Sequence, residues 1–214
     1  MKENITTIPI SEIFLTRGGC PVCRLRSAVE RHILEFLTGG AVMEPDVRIQ
    51  TNQQGFCKLH YTQLLDMQNK LCAALMMQSR LDELMMKLSL QKLSEKDVNT
   101  CYVCGHAEKS MEQLLDTIVK TYSKEPDFRA DFDCQPMLCL PHYIQCVGAA
   151  RKALKKSDCE NFCRSANAVT KRGLEELRND VAWFCEKYDY RNTDKPWGGA
   201  KDSLERGVFM LTSR

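Results

Sequence analysis

Two Cys-x-x-Cys pairs, each followed at nearly the same distance by a Cys-x-x-His pair, constrain this chain more than any other feature. The first set reads Cys20-Pro-Val-Cys23 and then Cys57-Lys-Leu-His60; the second reads Cys101-Tyr-Val-Cys104 and then Cys139-Leu-Pro-His142. From Cys20 to Cys57 is 37 positions, and from Cys101 to Cys139 is 38. The flanks match too, since Tyr61 and Gln63 follow His60 as Tyr143 and Gln145 follow His142. Ligand type, order, spacing and flanks agreeing twice indicate an internal repeat about 81 residues long. Two ligands three apart can pinch one ion where the chain turns tightly at the start of a helix. Pro21 suits such a first-turn position, because its missing N–H costs nothing there. Gly55 supplies a flexible approach to Cys57. Helix N-terminal amides favour the thiolate, which is the form that binds metal.

Three thiolates with one imidazole suit tetrahedral Zn²⁺, and four protein ligands leave no position open for water. Read in sequence order, one site takes Cys20, Cys23, Cys57 and His60, and the other takes Cys101, Cys104, Cys139 and His142. The expectation is two structural zinc ions per chain, each stabilising the fold by joining segments far apart in sequence. An iron–sulfur cluster is the alternative cofactor. A c-type haem is disfavoured, because Gly105 follows Cys104 and His106 comes one place too late. Twelve cysteines would suggest a disulfide framework in a small secreted chain. The N-terminal stretch lacks the apolar run of a signal peptide, so a cytoplasmic protein with metal-bound thiols is expected. No segment approaches the roughly 18 apolar residues of a membrane span, and a net charge of +2 carries no bulk argument for nucleic-acid binding.

Between the knuckles the apolar period is that of a helix. Leu25, Val29, Ile33, Phe36 and Leu37 follow the first Cys-x-x-Cys; Met111, Leu114, Leu115, Ile118 and Tyr122 follow the second. Residues 58–92 contain neither Gly nor Pro, with Leu64, Met67, Leu71, Ala74, Leu81, Met85 and Leu88 at heptad spacing and Gln78 interrupting. One long helix with a coiled-coil-like seam is expected there. Another helix is expected over roughly 159–189, with Leu174, Leu177, Val181, Phe184 and Tyr188 three and four apart. The fold class is all-α, a duplicated zinc-stabilised helical repeat. Its divisions are 1–95 and 96–190 for the repeats, and 191–214 for a tail and short helix packing on the body.

These motifs resemble a bacterial family of unknown function, common in anaerobic Firmicutes, that carries paired metal motifs. The resemblance rests on Cys20-Pro21-Val22-Cys23-Arg24, Gly55-Phe56-Cys57, Leu138-Cys139-Leu140-Pro141-His142 and Lys187-Tyr188-Asp189-Tyr190-Arg191, continuing through Lys195-Pro196-Trp197-Gly198 to Asp202 and Arg206. Tyr102 stands where the family pattern has proline. The resemblance supports the fold and the metal sites, and it brings no activity with it.

Remaining features divide between packing and function. Cys72, Cys134, Cys146, Cys159, Cys163 and Cys185 lie outside the two sets and read as buried thiols, although Cys159 and Cys163 share a helix face. Met76, Met77, Met85 and Met86 read as core packing before they read as an adaptable binding surface, and the tail with Tyr190, Arg191 and Trp197 either anchors a partner or packs back onto the bundle. Arg151, Lys152, Lys155, Lys156, Arg164, Lys171 and Arg172 form a basic segment over 151–172. It reads as a solvated helix face before it reads as a nucleic-acid surface. The sequence offers no recognisable catalytic constellation around His32 or His106, and no phosphate loop or dinucleotide fingerprint. The expectation is therefore a non-enzymatic zinc-binding scaffold or adaptor that binds another protein or self-associates through the long helix. A redox or metal-handling protein, exchanging thiols at Cys-x-x-Cys, is the alternative.

Overall fold

A computed structural model of the chain describes residues 10–213. In chain order the helices are α1 (Ile10–Leu15), α2 (Pro21–Thr38), α3 (Pro45–Gln54), α4 (Lys58–Asp66), α5 (Lys70–Ser89), α6 (Glu95–Val98), α7 (Tyr102–Lys124), α8 (Pro126–Asp133), α9 (Leu140–Ala153), α10 (Lys156–Glu186) and α11 (Ser203–Thr212). Among the described residues there is no strand, so the expected all-α class holds. The N-terminal stretch read for a leader lies outside the described residues as far as residue 9.

The chain forms two compact units. One comprises Arg26–Met111; the other takes the described residues up to Leu25 together with those from Glu112 onward. These units do not coincide with the repeat boundaries at 95 and 190. The chain passes from one unit to the other inside α2 and returns inside α7.

In the unit spanning Arg26–Met111, α2 buries Val29, Ile33, Leu34 and Leu37. The expected single helix over 58–92 is two, α4 and α5, broken at Met67–Asn69. No Gly or Pro is needed for the break. The Asn69 side chain accepts from the Cys72 amide at 3.4 Å and caps the new helix, while its own amide donates to the Thr38 carbonyl at 3.1 Å. An N-cap supplies a partner to one of the four amides that a helix start leaves unpaired. Helix α5 then buries Cys72, Ala73, Met76 and Arg80. Of the expected heptad seam, Leu64 on α4 is buried, while the part on α5 lies on the opposite side of that helix and is exposed at positions 71, 74, 78, 81, 85 and 88.

Arg80 organises this unit. Its buried guanidinium donates to the carbonyls of Asn52, Gln53 and Asp97. Asn52 and Gln53 belong to the last turn of α3, where helical carbonyls lack intrahelical partners. Gly55 follows with a φ of 62°, packed so closely on Arg80 that a Cβ would meet its Nε at 3.1 Å. Only glycine takes that backbone geometry without strain, and it turns the chain into Phe56-Cys57.

The other unit is built on an aromatic cluster. Phe14 lies 4.9 Å from Phe128 and 5.7 Å from Phe132, while Tyr122, Phe132 and Phe162 lie 5.0–5.3 Å from one another. Such offset and edge-on pairs contribute beyond the area they bury. Helix α10 covers 156–186, close to expectation, and α11 packs on α9 and α10. Trp197 lies back against the body, 5.5 Å from Phe184 with Lys187 Nζ 5.2 Å over its ring.

Gly173 is where α10 meets the segment that carries Cys139. A Cβ at this position would stand 2.5 Å from the Met137 Cβ. Overpacking at such a contact costs about 1–3 kcal/mol. Gly173→Ala is therefore expected to lower stability by that amount in chemical denaturation. An unchanged midpoint would show that the 136–139 segment yields freely.

Candidate metal centres

Each of the four knuckles sits at the start of a helix. Cys20 immediately precedes α2 and Cys23 lies in its first turn; Cys101 and Cys104 stand in the same relation to α7. Cys57 and Cys139 are the N-cap residues of α4 and α9, and His60 and His142 are the third residues of those helices. The eight residues gather into two clusters: Cys20, Cys23, Cys139 and His142 in one, and Cys57, His60, Cys101 and Cys104 in the other. Within each, all four candidate donor atoms lie within 4.8 Å of one another.

The sets expected from sequence order are thus not the sets that form. Cys57 and His60 join Cys101 and Cys104, whereas Cys139 and His142 join Cys20 and Cys23. Helix length explains the exchange. The first Cys-x-x-Cys opens an 18-residue helix, about 27 Å long at 1.5 Å per residue. The ten residues of α3 span only about 15 Å, too short to return the chain to its start. The Gly55–Cys57 segment instead meets the beginning of α7, where the Tyr102 amide donates to the Gly55 carbonyl at 2.9 Å and the Thr100 hydroxyl to the Gln54 carbonyl at 2.8 Å.

Comparable contacts hold the other cluster. The buried Gln135 side-chain amide donates to the Phe14 carbonyl at 2.5 Å and to the Asp131 carbonyl at 3.0 Å. Arg17 pairs with the Asp131 carboxylate at 2.8 Å. Arg24, immediately after Cys23, donates to the carbonyls of Ile13, Thr16 and Gly18 and so fixes the loop leading to Cys20.

The dimensions fit a tetrahedral metal. With metal–sulfur bonds of about 2.3 Å and metal–nitrogen bonds of about 2.0–2.1 Å, sulfur–sulfur edges should be about 3.8 Å and sulfur–nitrogen edges about 3.5 Å. Cys23 and Cys139 sulfurs are 3.6 Å apart, and those of Cys57 and Cys104 are 3.9 Å apart. The His142 Nδ1 lies 3.1–3.8 Å from the sulfurs of Cys20, Cys23 and Cys139. The His60 Nδ1 lies 3.2–3.4 Å from those of Cys57, Cys101 and Cys104. Both histidines therefore offer Nδ1 inward. The residues present can hold one metal ion in each cluster.

The electrostatics show what such an ion would complete. Two helix N-termini converge on each cluster, and their partial positive charge favours thiolate. In the first cluster, burial opposes ionisation of Cys20, yet hydrogen bonding from Cys139, Cys23 and His142 holds its thiol well below the usual range. Cys23 is pushed up by its hydrogen bonds with Cys139 and Cys20, and Cys139 by its hydrogen bond with Cys20 and by burial, against a lowering hydrogen bond from Cys23. In the second, burial again opposes ionisation, but the His60 hydrogen bond brings Cys101 down to about 6. Burial and the Cys101 charge push Cys104 up to about 12. Burial works against His60, while Cys101 and Glu30 carry it up to about 10. The surroundings favour a thiolate at Cys20 in one cluster and at Cys101 in the other, and they keep protons on Cys23 and Cys139 in the first and on Cys104 in the second, which a dication would displace.

The clusters differ in two ways. Cys20, Cys23, Cys139 and His142 are all buried, whereas Cys57, Cys101 and Cys104 are half-exposed around a buried His60. His60 also has a carboxylate behind it. Glu30 Oε2 lies 3.8 Å from Nε2, and Glu30 is held in turn by Arg26 at 2.9 Å. An anion behind the non-ligating nitrogen orients a metal-binding imidazole and raises its basicity. Sequence reading missed Glu30, Arg26, Arg80 and Gln135. The available signal was an i,i+4 Arg–Glu pair placed between the apolar positions 25, 29 and 33 of α2.

Other candidate residues are dispersed. Met76 is buried at 2% exposure and is not part of a surface, which corrects the four-methionine patch; Met77, Met85 and Met86 are exposed. Tyr190 is exposed, and Arg191 pairs with Asp189 at 2.6 Å. The expectation of buried spare thiols holds for Cys72 and Cys146 but not for Cys134 and Cys185, which are exposed. Cys159 and Cys163 are half-buried with sulfurs 3.9 Å apart. The basic residues of 151–172 are exposed; Arg172 donates to the Asp133 carbonyl and Lys171 faces Glu175. His106 stacks on Tyr102 with ring centroids 4.2 Å apart.

A family model described as "Family of unknown function (DUF6062)" matches residues 1–97 and 86–214. No curated protein and no solved structure matches the chain.

Glu30→Gln is expected to weaken metal binding at the Cys57–Cys104 cluster by about tenfold or more. The Cys20–Cys139 cluster should keep its affinity, so chelator competition should resolve one altered site and one unaltered site; equal weakening of both would contradict the assignment. Proton linkage gives a second expectation. Without metal, Cys104 near 12 and His60 near 10 both hold protons at neutral pH. The metal-bound cluster holds neither, so affinity rises with pH and falls as pH drops. Between pH 6 and 8, titration of the Cys57–Cys104 cluster with zinc should show release of at least about two protons. A pH-independent affinity would contradict this.

Proposed function

The chain belongs to that family of unknown function, and we propose that it is a non-enzymatic, zinc-stabilised helical scaffold that binds a protein partner. The observation that carries the reading is the full donor set of each cluster. Three sulfurs and one imidazole complete a tetrahedral shell, so neither cluster leaves a protein-free position for water or substrate. When bound, zinc supplies cross-linking of distant segments rather than chemistry on a ligand. The donor set favours Zn²⁺ over hard cations, which prefer oxygen ligands. Cys20, Cys23, Cys139 and His142 hold one ion; Cys57, His60, Cys101 and Cys104 hold the other. A bacterial origin of the anaerobic Firmicutes type accompanies this reading and is supported by the motif resemblance alone. No helix among the described residues is long and apolar enough to cross a membrane.

A redox or metal-handling role is the second reading, and one observation favours it. The half-exposed cluster contains Cys101, whose thiol is brought down to about 6 by His60. An accessible thiolate is a site of oxidation. Oxidation there would release the ion while the buried cluster kept its own.

Metal analysis and spectroscopy of the purified full chain test both readings. The scaffold reading expects two zinc per chain, no visible absorption, loss of helical signal on chelation and its recovery on zinc addition. Brown protein containing sulfide would overturn it. Peroxide that releases one equivalent of zinc, reversed by a thiol reductant, supports the second reading; retention of both ions sinks it.

A further inference from the structure

Helix α5 is apolar on two sides. Cys72, Ala73 and Met76 face the unit's core. On the opposite side, Leu71, Ala74, Gln78, Leu81, Met85 and Leu88 are all exposed. Leu71 is 68% exposed, Met85 66% and Leu88 64%. A surface helix of a monomer needs only one apolar stripe, and a contiguous exposed one marks an interaction surface. The six positions alternate by three and four, the a and d spacing of a two-helix coiled coil. No charged side chain occupies any of them.

We infer that this seam pairs with the same seam of a second copy, antiparallel about a two-fold axis between positions 79 and 80. The inference rests on the scaffold reading and names the partner of its apolar helical surface. The order of residue sizes selects the antiparallel direction. In that register Leu71 meets Leu88 of the second copy, Ala74 meets Met85, and Gln78 meets Leu81. Each small or polar residue then faces a large apolar one, as interdigitated layers require. A parallel pair would set Ala74 against Ala74, leaving a gap, and Gln78 against Gln78. The two-fold arrangement uses one patch on both copies and closes on itself, so it ends at a dimer.

The area is sufficient for a dimer of modest strength. The 20 residues of α5 span about 30 Å, and half the circumference of a helix about 11 Å across is about 17 Å. That gives about 500 Å² per copy and about 1,000 Å² in total, at the lower bound for a specific interface. Interfaces at this end of the size range are weak or transient, so the dimer is expected to dissociate on dilution.

Light scattering or sedimentation of the zinc-loaded full chain across the micromolar range tests the inference. The expected mass is that of two chains at the highest concentrations, falling towards one on dilution. Ala74→Glu and Met85→Lys should each weaken association about tenfold or more by placing a charge in the seam. The double variant should recover the dimer, because the antiparallel register brings the two opposite charges together. A parallel pair would oppose like charges in the double variant, so a double variant that stays monomeric overturns the register. Amide exchange of the wild-type chain gives a measurement independent of variants, with protection across 71–88 expected to rise with concentration. A wild-type chain that stays monomeric with both zinc ions bound overturns this inference and leaves the scaffold reading standing. Loss of zinc with helices intact would count against the scaffold reading instead.

Discussion

Thiolates and imidazoles come together in this protein because four helices begin in pairs, α2 with α9 and α4 with α7. A helix start offers unpaired amides, a favourable field for anions and a tight turn that places residues three apart on one side. Two starts facing each other supply four donors, and the loops before them must then be fixed closely enough to hold tetrahedral distances. Arg24 and Gln135 do this for one pair of starts. Arg80 does it for the other, through the last turn of α3. Much of the polar hydrogen bonding in both units is devoted to loop segments that the helices themselves leave unsupported.

The duplication is close in spacing but not in chemistry. The position 81 residues beyond Glu30 is Met111, so the carboxylate behind one histidine has an apolar counterpart in the second repeat. The sealed cluster fits a purely structural ion. The half-exposed one has Glu30 and Arg26 behind its histidine. The two segments have thus kept the same candidate ligands while the surroundings of those ligands diverged.

The candidate ligands were legible in the sequence because Cys-x-x-Cys and Cys-x-x-His are local patterns with a local cause. Ligand partnership was not, because nothing within either motif says which distant segment it meets. That information lay in helix length: 18 residues of α2 carry the chain too far for Cys57 to return to Cys20. The division of 58–92 into α4 and α5 was hidden for a different reason, since Asn69 breaks the helix by capping the next one, with no Gly or Pro as warning. The heptad seam was visible as a period. Which side faces the core depends on Cys72, Ala73, Met76 and Arg80, residues that periodicity alone gave no reason to prefer. Trp197 illustrates the same limit, since only the fold places it against Phe184.

The exchange of knuckles also sets an order in time. Cys57 and Cys104 are 47 positions apart, and that pair is nested entirely within the 116 positions separating Cys23 from Cys139. As the chain leaves the ribosome the inner cluster can close first, while the first Cys-x-x-Cys waits for a partner. At 5–20 residues per second that wait is roughly 6–23 s. The extra loop length adds only about 1 kcal/mol to closure, so the consequence is kinetic rather than energetic. Cys20 and Cys23, which end up buried in the sealed cluster, are the ligand-set cysteines left unprotected longest during synthesis, dependent meanwhile on a reducing environment.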